Sequence, residues 1–334
     1  MSDAETLHRD AVVIDAVCPL LRQKKYVDWY YEGGVTVAAP TVASGEGAGA
    51  TLREIARWKA TIAADPRLVQ VDSVAGIRAA KRDGKLGLLF HFQGTGPIED
   101  EPELVLAYKA LGVGIIQLAY NVKNFVGDGA DERTDAGLSY FGVRLIEAMN
   151  KARVIVDCAH TGVRTSLDAV EASSAPVVIS HGNPRALHDV RRNLPDDLIR
   201  AVAKTGGLVG AVGFPAFIGP SPRPTLDQFI DHIVYLVDLI GIDHVGLGID
   251  YYNAQYPVMT DAEATTWYQA QLQQGRWRPG TYPPPPHYYP EGIETPQTMP
   301  NLTRRLLERG FAPDDVRKVL GENWMRVYAA VWGE

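Results

Sequence analysis

Val154-Ile155-Val156-Asp157-Cys158-Ala159-His160, a helical stretch through Ala175, and then Pro176-Val177-Val178-Ile179-Ser180-His181 decide how this chain is read. Both ends of the stretch are short β-branched runs, the pattern of a parallel strand buried on its two faces. Each run closes on a histidine. Between them, Ser166-Leu167-Asp168-Ala169-Val170-Glu171-Ala172 is long enough for one crossover helix, which makes a βαβ unit with a right-handed connection. His160 and His181 then stand side by side above the carboxyl ends of neighbouring strands. In a (β/α)8 barrel that is the face where chemistry is done.

Outward from this unit the alternation repeats. Residues 11–17, 87–93, 113–120, 207–213 and 244–250 read as further strands, with helical patterns between them. Repeated strand–helix alternation predicts an α/β fold, a parallel sheet closed as a (β/α)8 TIM-type barrel in one domain spanning 1–334. Seven strands are clear, and the eighth is expected near 298–302. Residues 20–50 read as irregular, with a Gly/Ala/Ser-rich tract at 43–50 as a flexible loop. Residues 251–297 break the rhythm with Tyr251, Tyr252, Trp267, Trp277, Tyr282 and four prolines from Pro283. This Pro/Tyr-rich insertion follows the seventh clear strand. It is expected to be a lid that lends aromatic walls, with Tyr252 among the substrate contacts.

Bulk properties narrow the function classes. The 334 residues are 46% hydrophobic with a net charge of -7 and no basic run, which argues against nucleic acid as a partner. Cys18 and Cys158 are the only cysteines, so neither a disulfide framework nor a CxxC metal site is expected. The polar start and the lack of an apolar run of ~20 residues predict no membrane span, and a soluble, cytoplasmic chain. The expected partner is a small-molecule substrate, with a homodimer possible.

The polar residues at the strand ends carry the chemistry. One buried histidine is ordinarily a satisfied core residue. Two at consecutive strand ends suit a borderline metal such as zinc, or acid–base work. Asp250 closes the strand 244–250 as a ligand, a base or a cap. His91 and Gln93 are two apart and share a strand face. Tyr120 either orients a substrate or caps the barrel, and Arg192 either grips a carboxylate or pairs at the surface. Cys158 reads as buried filler.

These residues also carry a resemblance. Asp157-Cys158-Ala159-His160, Ile179-Ser180-His181-Gly182-Asn183-Pro184-Arg185, Arg192-Asn193-Leu194-Pro195-Asp196-Asp197, Asp243-His244-Val245-Gly246-Leu247-Gly248-Ile249-Asp250 and Gly321-Glu322-Asn323 resemble the renal (membrane) dipeptidase family of zinc peptidases. The resemblance implies a barrel of the metal-dependent hydrolase kind. It also implies His160 and His181 as metal ligands, Arg192 as the clamp on the substrate carboxylate, and Asp250 as the residue that handles the proton. His91, Tyr252 and Asn183 are expected to contact substrate.

The chain departs from the family where the first metal binds. A His-x-Asp pair is replaced by Val17-Cys18-Pro19, the bridging Glu by Gln93, and a substrate-contacting His by Tyr120. A two-zinc hydroxide mechanism needs ions ~3.5–4 Å apart and is not expected. At most one ion, on His160, His181 and Gln93, is expected, or none. Non-hydrolytic proton chemistry of isomerase, tautomerase or lyase type ranks ahead of mononuclear hydrolysis. An inactive ligand-binding relative ranks third.

Overall fold

The computed structural model describes residues 3–333, and among these eight parallel strands ring one core. They are β1 (Ile14–Cys18), β2 (Val37–Ala43), β3 (Phe90–Phe92, continuing Leu86–Leu88), β4 (Val113–Gln117), β5 (Ile155–Asp157), β6 (Val177–Val178), β7 (Val209–Ala211) and β8 (Val245–Leu247). Parallel ladders join β1 through β6 in order, and another joins β7 to β8. A bridge between Ile179 and Val209 links β6 to β7. At the β8–β1 seam a side chain replaces the ladder: Asp15 Oδ1 accepts from Ile249 N at 2.9 Å. Leu20 N also donates across this seam to Tyr251 O at 2.8 Å. The predicted barrel is therefore the fold, and every strand is buried on both faces, which is why the strands read as continuous apolar runs.

Two strand assignments change. Residues 20–50 hold β2, so the barrel's second strand lies where irregular chain was expected. Pro40 hides it, because a proline inside a run argues against a central strand. The register between β1 and β2 shifts between Asp15 and Cys18, and Cys18 faces Pro40, so the missing N–H falls at an irregularity. The tract at 43–50 is short, and helix Ala48–Ala64 already begins inside it. Residues 298–302 form no strand. Pro296–Thr298 is a 3-10 turn and Pro300 opens helix Pro300–Glu308, as proline does well in a first turn.

The closing helix, Asn323–Trp332, plugs the amino end of the barrel with Trp324, Tyr328 and Trp332. Trp324 Nε1 donates to Leu247 O at 3.0 Å and Trp332 Nε1 to Gly114 O at 3.3 Å. With that end sealed, the carboxyl end is the open mouth. Among the described residues no helix is long and apolar enough to cross a membrane.

One contact in the ring leaves no room for a side chain. A Cβ on Gly248 would stand 1.9 Å from Ser180 O, and one on Gly210 2.1 Å from the same oxygen. Ser180 precedes His181, so this tight fit sets the height of the histidine. Gly248→Ala is expected to cost about 3 kcal/mol, the upper part of the overpacking range, read as a lower urea midpoint. An unchanged midpoint would mean that the strands part freely here.

Candidate active site

Three non-glycine residues at strand ends take left-handed backbone: Asn121 (φ 61), His160 (φ 58) and Asp250 (φ 63). That conformation is disfavoured for side chains with a Cβ and clusters at functional sites. Here each sharp turn brings its residue to the mouth of the barrel.

Both histidines are held in one tautomer. His160 Nδ1 donates to Asn121 Oδ1 at 2.7 Å, because an amide oxygen can only accept. Ser180 Oγ donates to Asp157 Oδ2 at 2.5 Å and so accepts from His181 Nδ1 at 2.8 Å. The two Nε2 atoms therefore carry bare lone pairs. Both are buried and neither has a partner within the protein. The rings sit 4.8 Å apart, edge to face, and the Tyr120 ring stacks on His160 at 4.2 Å. Burial, and then the charge of Arg192, push both imidazoles well below their ordinary value. They are neutral bases.

The carboxyl groups divide into two kinds. Burial pushes Asp250 up to about 8, with Asp15 adding to the shift and Arg192 and Gln93 opposing it. Asp15, in the seam below, is pushed up to about 7 by burial. Asp157 is also fully buried, yet His91 and Ser180 hold it below the usual carboxylate range. Asp157 Oδ1 accepts from Ala159 N and Ser180 N, both at 2.9 Å, and His91 Nε2 lies 3.4 Å from Oδ2. Burial thus favours the protonated form of Asp250, while its hydrogen-bond partners favour the ionised form of Asp157.

Arg192 is 2% exposed, so it is not a surface ion pair. Its guanidinium lies 5.2 Å over the Phe217 ring, Nη2 reaches His181 O at only 3.5 Å, and Nε has no partner. Gln93, Tyr120, His160, Asp250, Tyr252 and Trp277 all line one cavity of about 190 Å³. Its outer wall comes from residues 251–297, including helix Asp261–Gln273. Trp277 stacks on Tyr282 at 4.2 Å and donates to Tyr120 Oη at 3.3 Å. Tyr252 packs between Trp267 and Phe214, and its hydroxyl is buried without a partner.

Three expected site residues have other surroundings. Asn183 Nδ2 donates to Val212 O and Phe217 O, and its Oδ1 accepts from Val212 N. Its amide braces the loop after β6 against β7 and is not turned to the cavity. His91 is fully buried beneath the mouth, against Asp157, so it supports the anchor below the cavity wall. Gln93 Oε1 accepts from Thr41 Oγ1 at 3.2 Å, so its amide nitrogen is the end turned towards Asp250. A ligand needs the oxygen, so Gln93 is corrected from metal ligand to hydrogen-bond donor.

Asn121, Ser180 and Asp157, which orient the histidines, are not among the residues expected from the sequence. Asp157 three residues before His160, and Ser180 next to His181, were the signals present.

The donor set does not fit a dinuclear metal centre. Among the described residues no group of three or more His, Cys, Asp and Glu side chains could share an ion. Val17 and Pro19 offer no ligand atom, and Gln93 shows its donor end. His160 and His181 alone fall one short of the three protein ligands of a catalytic zinc site.

Comparison with known proteins places the chain. The profile described as membrane dipeptidase (peptidase family M19) matches residues 28–278. An uncharacterized dipeptidase of Schizosaccharomyces pombe is 30% identical over 240 residues, 71% of this chain and 51% of that protein. The chain thus spans about half the length of that curated relative. Among solved structures, an amidohydrolase from Pseudomonas aeruginosa is 34% identical with a TM-score of 0.92, covering 100% of both chains. A probable dipeptidase from the same organism shares the fold at 19% identity and a TM-score of 0.82, covering 98% of this chain and 97% of that one.

Proposed function

We propose, for a chain that belongs to the membrane dipeptidase family (peptidase family M19), a proton-transfer enzyme that acts on a small carboxylate-bearing substrate. The observation that carries this reading is the buried trio: two unpartnered imidazole nitrogens at His160 and His181, with Asp250, whose carboxyl burial pushes up to about 8. The substrate carboxylate sits on the free edge of Arg192. His160 Nε2 removes a proton from the carbon or nitrogen next to it, and Asp250 returns one at a second position. The sum is an isomerisation or an elimination. Burial makes His160 a weak base, which restricts it to protons already acidified by the neighbouring, Arg192-bound group. Residues 251–297 act as the lid that keeps water out.

A second reading, hydrolysis by the family's route with a single metal, is favoured by the same two bare Nε2 atoms. Metal content and deuterium exchange separate the two. Small carboxylates and dipeptides are incubated with the zinc-dialysed protein in D2O and followed by proton NMR. Expected are sub-stoichiometric zinc and deuterium entering, or a double bond moving, next to a carboxylate, both lost in His160→Ala. Two tightly held ions with zinc-dependent release of amino acids from dipeptides would sink the proposal.

A further inference from the structure

The cavity carries more positive charge than one carboxylate needs. Arg22 and Arg276 stand on its wall, and Arg192 is buried behind Phe217, one of the lining rings. Arg22 is neutralised by Glu46 at 3.2 Å. The Arg276 side chain has no hydrogen-bonding or ionic partner among the described residues. Asp250 is the one carboxylate on that wall. In a chain of net charge -7, composition alone does not produce a cationic mouth.

Arg276 is also held in place. Its N donates to Gln271 O at 3.1 Å. Its carbonyl accepts from Asn121 Nδ2 at 3.0 Å, and Asn121 is the residue that fixes His160. The next residue, Trp277, is locked by its stack on Tyr282. One amide thus ties the catalytic imidazole to the arginine at the rim. The same arginine borders a second, mostly apolar hollow of about 610 Å³, which shares Ser44 and Tyr120 with the first.

We infer that the substrate is a small dianion, with one anionic group at Arg192, the other at Arg276, and an apolar body lying against the wall formed by the mutually packed Tyr252, Phe214 and Trp277 rings. This rests on the reading that Arg192 takes a carboxylate.

The test is calorimetric titration of the full chain at pH 7 with glutarate, adipate and terephthalate, each against its own half-amide. The half-amide keeps the length and removes one charge. At least one dicarboxylate is expected to bind about tenfold tighter than its half-amide. Arg276→Met should cut that ratio to within about twofold, and Arg276→Lys should restore part of it. Arg276 lies at the exposed rim, so both variants should keep the wild-type melting curve. Half-amides that bind as well as the dicarboxylates, or a ratio that survives in Arg276→Met, would overturn this inference and leave the reading at Arg192 standing. Failure of every probe to bind would remove both.

Discussion

Asp250→Asn is expected to lower turnover by about 10²–10⁴, the usual weight of a general acid, while making the fold more stable at alkaline pH. The amide is isosteric, and asparagine tolerates the left-handed backbone found at Asp250. The sign follows from proton counting. The unfolded carboxyl titrates near ~3.9, whereas burial keeps the folded one protonated up to about 8. Between those values the unfolded chain has released a proton that the native state retains, so wild-type stability falls as pH rises through that window. Asn has nothing to ionise. Melting curves of the two proteins should coincide near pH 4 and separate by a few kcal/mol by pH 9, with the variant higher. His160 and His181, lowered in the fold, withhold stability below about pH 6.5, but they do so in both proteins. Equal melting temperatures at pH 9 would show that Asp250 ionises freely, and the acid role would fall with it.

Asp157→Ala is expected to be the most damaging single change to the fold. It deprives Ala159 N, Ser180 N and Ser180 Oγ of their shared acceptor and leaves His91 facing a void. Breaking a buried charged network of this kind costs about 3–5 kcal/mol. The pH dependence runs opposite to that of Asp250. Asp157 is held below the usual carboxylate range, so its contribution is present above the unfolded value and is lost as pH falls through the folded one. Urea unfolding at pH 7 should show the full gap, and the gap should narrow towards pH 3. A second consequence is local: without Asp157, Ser180 no longer has to accept from His181 Nδ1, and the imidazole tautomer is freed. A loss under about 1 kcal/mol would mean the anchor is not ionised.

The barrel was legible because seven of its strands are short, largely apolar runs separated by helical patterns, a signal that burial on both faces imposes. β2 was lost to Pro40, whose cost is met by a register shift that only the paired strand reveals. At the site, His160, His181, Arg192 and Asp250 could be named from the strand ends and the resemblance, and the structure brings them together. The direction of an amide could not be read. Gln93 and Asn183 are both polar residues at strand ends. What distinguishes them from ligands is a hydroxyl at Thr41 and two carbonyls at Val212 and Phe217, set far apart in sequence. Asn121 escaped notice for the same reason: its partners are His160, Arg276 and Tyr282, none of them local.

The join between the last strand and the first has a mechanical consequence. Neighbours elsewhere in the ring are stitched by main-chain pairing, while this join hangs on the Asp15 carboxyl, which accepts from Ile249 N, and on the Leu20 amide, which donates to the Tyr251 carbonyl. Asp250 sits directly after Ile249, the residue that Asp15 holds. Asp250 is thus mounted on the loosest hoop of the cask. Amide protons at Leu20 and Ile249 should exchange with solvent ahead of those in the other strands, and the mouth should gape there first.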